Sequence, residues 1–155
     1  MDPTRIIFIC MGNICRSPLA EAIFLHHCNL RSLTEHYEVA SAGIGGWHAG
    51  DPADHRSRAV ASRNGIDLIT RAQQVTSDDF DRYDLFVCMD DENVRDLRDL
   101  GCPQEKITTL MQYHPESGHD HVPDPYYGGT EGFELVFKLV DQAVVEFLDH
   151  HHSPQ

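Results

Sequence analysis

Positive charge is scarce in this chain. Twelve lysines and arginines stand against twenty-five aspartates and glutamates, a formal net charge of −13. So acidic a chain is not built to hold nucleic acid or an anionic membrane surface, and neither is expected as a partner. Long apolar runs are missing as well. Ile6 to Ile9 is too short for an export signal or a span, and no other stretch approaches spanning length. Cysteines are few and odd in number: Cys10, Cys15, Cys28, Cys88 and Cys102. That usage indicates reduced thiols and a cytoplasmic location rather than a disulfide framework. His114, His119 and His121, with Asp120, lack tight ligand spacing or a helical register, so no metal or other cofactor is expected. Repeats, low-complexity tracts and linkers are also absent. Residues 1–155 therefore read as a single domain with room for a substantial core.

Apolar strands alternate with helical patterns along the whole length. Arg5 to Cys10 is apolar at successive positions, as suits a central parallel strand. Ser17-Pro18 opens a helix to about Leu30, with Leu19, Ala22, Ile23 and Leu30 on its apolar face. Tyr37 to Ala42 is a second strand, followed by the glycine-rich loop from Gly43 to Gly50. Asp51-Pro52 is expected to begin a helix ending near Asn64-Gly65. A short capped helix follows Thr76, and a third strand runs from Asp84 to Met89. Asp90 to Leu100 is helical, and Lys106 to Met111 is the fourth strand. Tyr113 to Tyr127 is a polar loop, and Phe133, Phe137, Val140, Val144 and Phe147 mark a last amphipathic helix. This order predicts an α/β fold: a parallel sheet with helices on both faces. Ligands then bind beyond the carboxyl ends of the strands, where Cys10 lies.

Five residues separate Cys10 from Arg16: Met11, Gly12, Asn13, Ile14 and Cys15. Ser17-Pro18 comes next. The segment reads as strand, tight turn and helix start. Backbone N–H groups at such a junction converge on an anion. Gly12 and Asn13 tolerate the positive φ that a loop wrapped around an anion demands. A free thiol has a pKa of about 8.5, and a helix N-terminus with an arginine lowers it, producing a nucleophile held against bound phosphate. Far along the chain, Asp124 stands between two prolines on a stiff loop leaving the same sheet edge. An aspartate there suits a general acid acting on a leaving oxygen.

The segment from Cys10 to Glu21, C-x-G-N-x-C-R-S-P-x-A-E, resembles the signature of the low-molecular-weight protein tyrosine phosphatases. Asp124-Pro125-Tyr126-Tyr127-Gly128 is similar to that family's acid loop. Ser41-Ala42-Gly43, Trp47-His48, Gly50-x-Pro52-x-Asp54-x-Arg56 and Cys88-Met89-Asp90 fall in the family's order, so the resemblance covers essentially the whole chain.

That resemblance implies a three-layer α/β/α, flavodoxin-like or Rossmann-like fold. Its sheet has four parallel strands in the order 2-1-3-4, with the phosphate-binding loop after strand 1. It implies a protein tyrosine phosphatase with Cys10 as nucleophile, Arg16 as phosphate clamp and Asp124 as general acid, then base. Phosphotyrosine-containing proteins are the implied substrates, and inorganic phosphate is the product or an inhibitor. Met11 to Ser17 form the phosphate loop, Ser17 hydrogen bonds the Cys10 sulfur, and Asn13 supports the turn, with Ser41 as its partner. Trp47, Tyr126 and Tyr127 form aromatic walls for the phenol ring. Cys15 is implied as the redox partner of Cys10 through a reversible disulfide. A monomer with weak self-association is expected. Ile14 favours an aromatic ester, because related arginine phosphatases carry threonine there. An arsenate reductase on the same fold needs a cysteine pair after the third strand. Cys88 instead lies within that strand, with no further cysteine before Cys102. A phosphotyrosine binder without turnover has no need of Asp124.

Overall fold

The computed structural model describes residues 2–126 and 129–152. Four parallel strands, β1 (Thr4–Cys10), β2 (Tyr37–Gly43), β3 (Leu85–Cys88) and β4 (Ile107–Thr109), form one sheet in the order β2-β1-β3-β4. The helices are α1 (Arg16–Leu30), α2 (His55–Arg63), α3 (Ser77–Arg82), α4 (Asp91–Asp99) and α5 (Thr130–His151). This is the α/β/α layering and strand order expected of the sequence.

β1 is apolar on both faces because both are covered. Ile6 and Phe8 join the core beneath α1, α2 and α5, while Ile7 and Ile9 join a second core with Phe80, Phe86 and Leu97. On the first side Phe24 holds the layers together, its ring 5.6 Å from Phe8 and 5.6 Å from Phe147. The strand that carries Cys10 at its end is thus clamped from four directions, by two strands and two helical layers.

Three local expectations change. Leu30 is exposed rather than part of the apolar face of α1, and Phe24 and Cys28 are buried there with Leu19 and Ile23. α2 begins at His55 and not at Asp51-Pro52. Pro52 bridges to Arg71, and Asp54 caps the helix by accepting the N–H of Arg56 at 2.8 Å. The fourth strand is shorter than Lys106 to Met111, because Leu110–Tyr113 tightens into a 3-10 turn. At the other end of α2 the expected stop is present, with Gly65 at φ +76°.

Candidate active site

The loop between β1 and α1 is held from outside by its carbonyls. Ile44 N–H donates to the Cys10 carbonyl at 3.0 Å, and Gly45 N–H donates to that of Met11 at 2.9 Å. On the other flank Asp54 N–H donates to Ile14 at 2.8 Å, and the Ser57 hydroxyl donates to Cys15 at 3.2 Å. In a trans peptide the N–H points opposite to the C=O of the same plane. Four carbonyls pulled outward therefore turn the N–H groups of Met11, Gly12, Cys15 and Arg16 to the inner side of the loop. The approach of β2 is equally tight. A Cβ on Gly43 would stand 2.9 Å from the Gly12 carbonyl carbon and 2.9 Å from the Met11 oxygen.

Asn13 takes the left-handed conformation, φ 58°. Its side chain offsets the strain. Oδ1 accepts Gln73 N–H at 2.9 Å, and Nδ2 donates to the hydroxyls of Ser17 and Ser41, both at 2.9 Å. Ser41 in turn donates to Glu21 at 2.6 Å. Ser17 lies 2.9 Å from the Cys10 sulfur. Asn13 and Ser17 are buried, whereas Cys10, Met11, Gly12, Ile14, Cys15 and Arg16 line a cavity of about 180 Å³.

Arg16 enters that cavity as the buried first residue of α1. Its Nη1 donates to Asp90 at 2.6 Å and to the carbonyl of Val122 at 2.9 Å, while Nη2 lies 3.8 Å from Asp124. Burial opposes the guanidinium charge, but Cys10, Asp90 and Asp124 outweigh it and push its pKa above the ordinary value. Asp124 is half exposed at the rim, and its second oxygen accepts Tyr126 N–H at 3.0 Å. The loop that carries it is tied to the end of β3, where Val122 N–H donates to the Met89 carbonyl at 2.8 Å. Residues 106 positions apart thus meet at one guanidinium.

Cys15 shares the cavity wall but differs chemically. Burial, then the nearby Asp54, Cys10 and Asp124, push its thiol up to about 12, so it stays protonated. All five cysteines are unpaired. Trp47 is mostly exposed and stands at the rim with Tyr126. Its ring lies over Gly45, where any Cβ would collide with it. Tyr127 lies outside the described residues. Among the described residues no helix is long and apolar enough to cross a membrane.

The structure adds residues that sequence reasoning did not assign to the site. Asp90 and the Val122 carbonyl hold Arg16, Gln73 and Glu21 hold the Asn13 network, and His48 lines the rim against Gly12. Glu21, His48 and Asp90 stand in segments that carried the family resemblance, and Asp90 also as the polar residue before a helix, where it accepts the N–H of Asn93 at 2.8 Å.

A family model described as Low molecular weight phosphotyrosine protein phosphatase matches residues 5–153. A human protein named low molecular weight phosphotyrosine protein phosphatase is 36% identical over 151 residues, covering 95% of each chain. A Streptomyces coelicolor protein named low molecular weight protein-tyrosine-phosphatase is 42% identical over 144 residues, covering 90% of this chain and 88% of that one. The crystal structure of a protein tyrosine phosphatase from Entamoeba histolytica, solved with Hepes in its active site, superposes with a TM-score of 0.90. It is 36% identical and covers 94% of both chains. With the loop, its arginine and the distal aspartate gathered at one sheet edge, the chain belongs to the low molecular weight phosphotyrosine protein phosphatase family.

Proposed function

We propose that this chain hydrolyses phosphotyrosine in proteins, with Cys10 as nucleophile, Arg16 as phosphate clamp and Asp124 as general acid and base. The observation that carries the reading is the convergence of the Cys10 sulfur, Arg16 and Asp124 on one cavity, with Arg16 and Asp124 3.8 Å apart. The Cys10 thiolate attacks phosphorus, and the bond to the phenolic oxygen breaks. Asp124 gives its proton to that departing oxygen, leaving phosphocysteine. Asp124 then takes a proton from water, which attacks phosphorus, releasing inorganic phosphate and the thiolate. Loop N–H groups and the planar Arg16 fork bind the equatorial oxygens, where charge grows in the transition state. Ser17 stabilises the sulfur anion as nucleophile and again as leaving group. Trp47 and Tyr126 flank the phenol ring, and Tyr127 is assigned with them from sequence alone. Nothing in these steps requires a metal or cofactor.

The same reading includes a monomeric cytoplasmic enzyme, which suits five unpaired cysteines. It also includes protection of oxidised Cys10 by a disulfide to Cys15. The raised Cys15 thiol leaves little thiolate for the resolving attack, because only thiolate attacks.

The test compares phosphotyrosine, phosphoserine and phosphoarginine peptides on wild type, Cys10→Ser and Asp124→Ala. Turnover is expected on phosphotyrosine only and is lost in Cys10→Ser. Asp124→Ala is expected to lose about 10²–10⁴-fold in kcat, and less on an aryl phosphate with an acidic phenol. Turnover by Cys10→Ser, or a preference for phosphoarginine, overturns the reading.

A further inference from the structure

One buried acid takes no part in the chemistry above. Glu21, on the second turn of α1, is 7% exposed and ends a chain of hydrogen bonds that starts at the Cys10 sulfur. The sense of every bond in that chain but the last, between Ser17 and the sulfur, follows from one fixed point. Gln73 N–H can only donate, so the Asn13 oxygen faces it and the amide cannot flip. Asn13 Nδ2 is then the donor to both serines, which uses its two hydrogens. Each serine oxygen accepts from Asn13 and keeps one hydrogen of its own. Ser41 gives its hydrogen to Glu21 Oε1, and Ser17 has its hydrogen available for the Cys10 sulfur, which as a thiolate can only accept.

We propose that Glu21 is a positioning residue for Cys10: by accepting the Ser41 hydrogen it holds Asn13 in its left-handed conformation, and with it the donation from Ser17 to the sulfur. The inference rests on the reading of Cys10 as nucleophile. Without an acceptor at position 21, the buried Ser41 hydroxyl must rotate to find another partner. Asn13 then loses a tether that offsets its strained φ, and the loop relaxes. The role needs an acceptor oxygen and not a negative charge. Burial raises the Glu21 pKa, with the Ser41 hydrogen bond opposing it, and a protonated carboxyl still accepts through its carbonyl oxygen.

The experiment uses Glu21→Leu, close in volume but without an acceptor, and Glu21→Gln, whose amide oxygen accepts. Alkylation of Cys10 by iodoacetamide is followed by mass spectrometry of its peptide, with rates at about pH 6 and about pH 9 compared as a ratio. Glu21→Leu is expected to lower that ratio about fivefold and to lower kcat with KM unchanged, while Glu21→Gln returns the ratio to within about twofold of wild type. A wild-type ratio in Glu21→Leu, or equal losses in both variants, overturns the proposal. If Glu21→Leu does not fold, Ser41→Ala cuts the same link with a smaller change. A lowered ratio there supports the proposal, and an unchanged one overturns it. Alkylation needs no substrate, so this outcome is separate from failure of the phosphatase reading, which shows as turnover by Cys10→Ser.

Discussion

Arg16 and Asp90 meet at 2.6 Å, and the same carboxylate caps α4 through the N–H of Asn93. The guanidinium is therefore aimed by the start of a helix on another strand's loop. Asp90→Asn keeps the cap and removes the charge. Misplacing Arg16 in this way is expected to lower kcat/KM by about 10²-fold with little change in Tm. Steady-state kinetics beside a thermal melt separates the two effects, and wild-type kinetics in Asp90→Asn would show that Arg16 holds its position unaided.

Asn13 stands at φ 58° and makes three side-chain hydrogen bonds. Asn13→Ala loses the bonds and keeps the strain, an expected loss of about 2–3 kcal/mol. Asn13→Gly loses the bonds but not the conformational fit, and should be milder by about 1 kcal/mol. Urea unfolding of both variants orders them. Equal losses would mean that the backbone there carries no strain.

Gly43 has no room for a side chain, since the added Cβ would meet loop backbone on three sides: Gly12, Met11 and Asn13. Gly43→Ala is expected to cost about 1–3 kcal/mol and to displace the loop. Activity should fall further than stability alone explains. Activity per folded molecule, measured well below the melting range, is the deciding quantity.

Burial raises the Glu21 pKa, with the Ser41 hydrogen bond opposing it. A carboxyl raised on folding holds its proton more tightly in the folded state. Its stabilising contribution is full below the unfolded value, about 4.3, and is lost as pH rises through the folded value. Glu21→Gln has no such proton, so its stability relative to wild type is expected to rise as the pH is raised above about 4. A difference that does not vary with pH would contradict the raised value.

The sheet was legible from residue types, and the site only partly so. Ile6 to Ile9 can be buried on both faces in few ways, and Cys10 to Arg16 carries its own turn chemistry. Errors arose where tertiary packing overrode a local signal. Asp51-Pro52 has the look of a helix start, but Pro52 is engaged by Arg71, and the cap moves to Asp54. Leu30 has the right spacing for the core but is the last residue of α1 and is exposed, while Phe24 fills the space between β1 and α5. The pairing of Arg16 with Asp90 spans 74 residues, and that of Glu21 with Ser41 joins a helix to a strand. Neither has a spacing that one sequence can reveal.

The outward-held carbonyls of the Cys10 loop also bear on how such a catalyst diversifies. The floor of its cavity is shaped by peptide planes, which point mutation alters little so long as Gly43 and Asn13 stay. The entrance is built differently, from the side chains of Trp47, His48 and Tyr126. A change of side chain at the entrance can thus alter what reaches Cys10 while the loop backbone beneath it stays as it is.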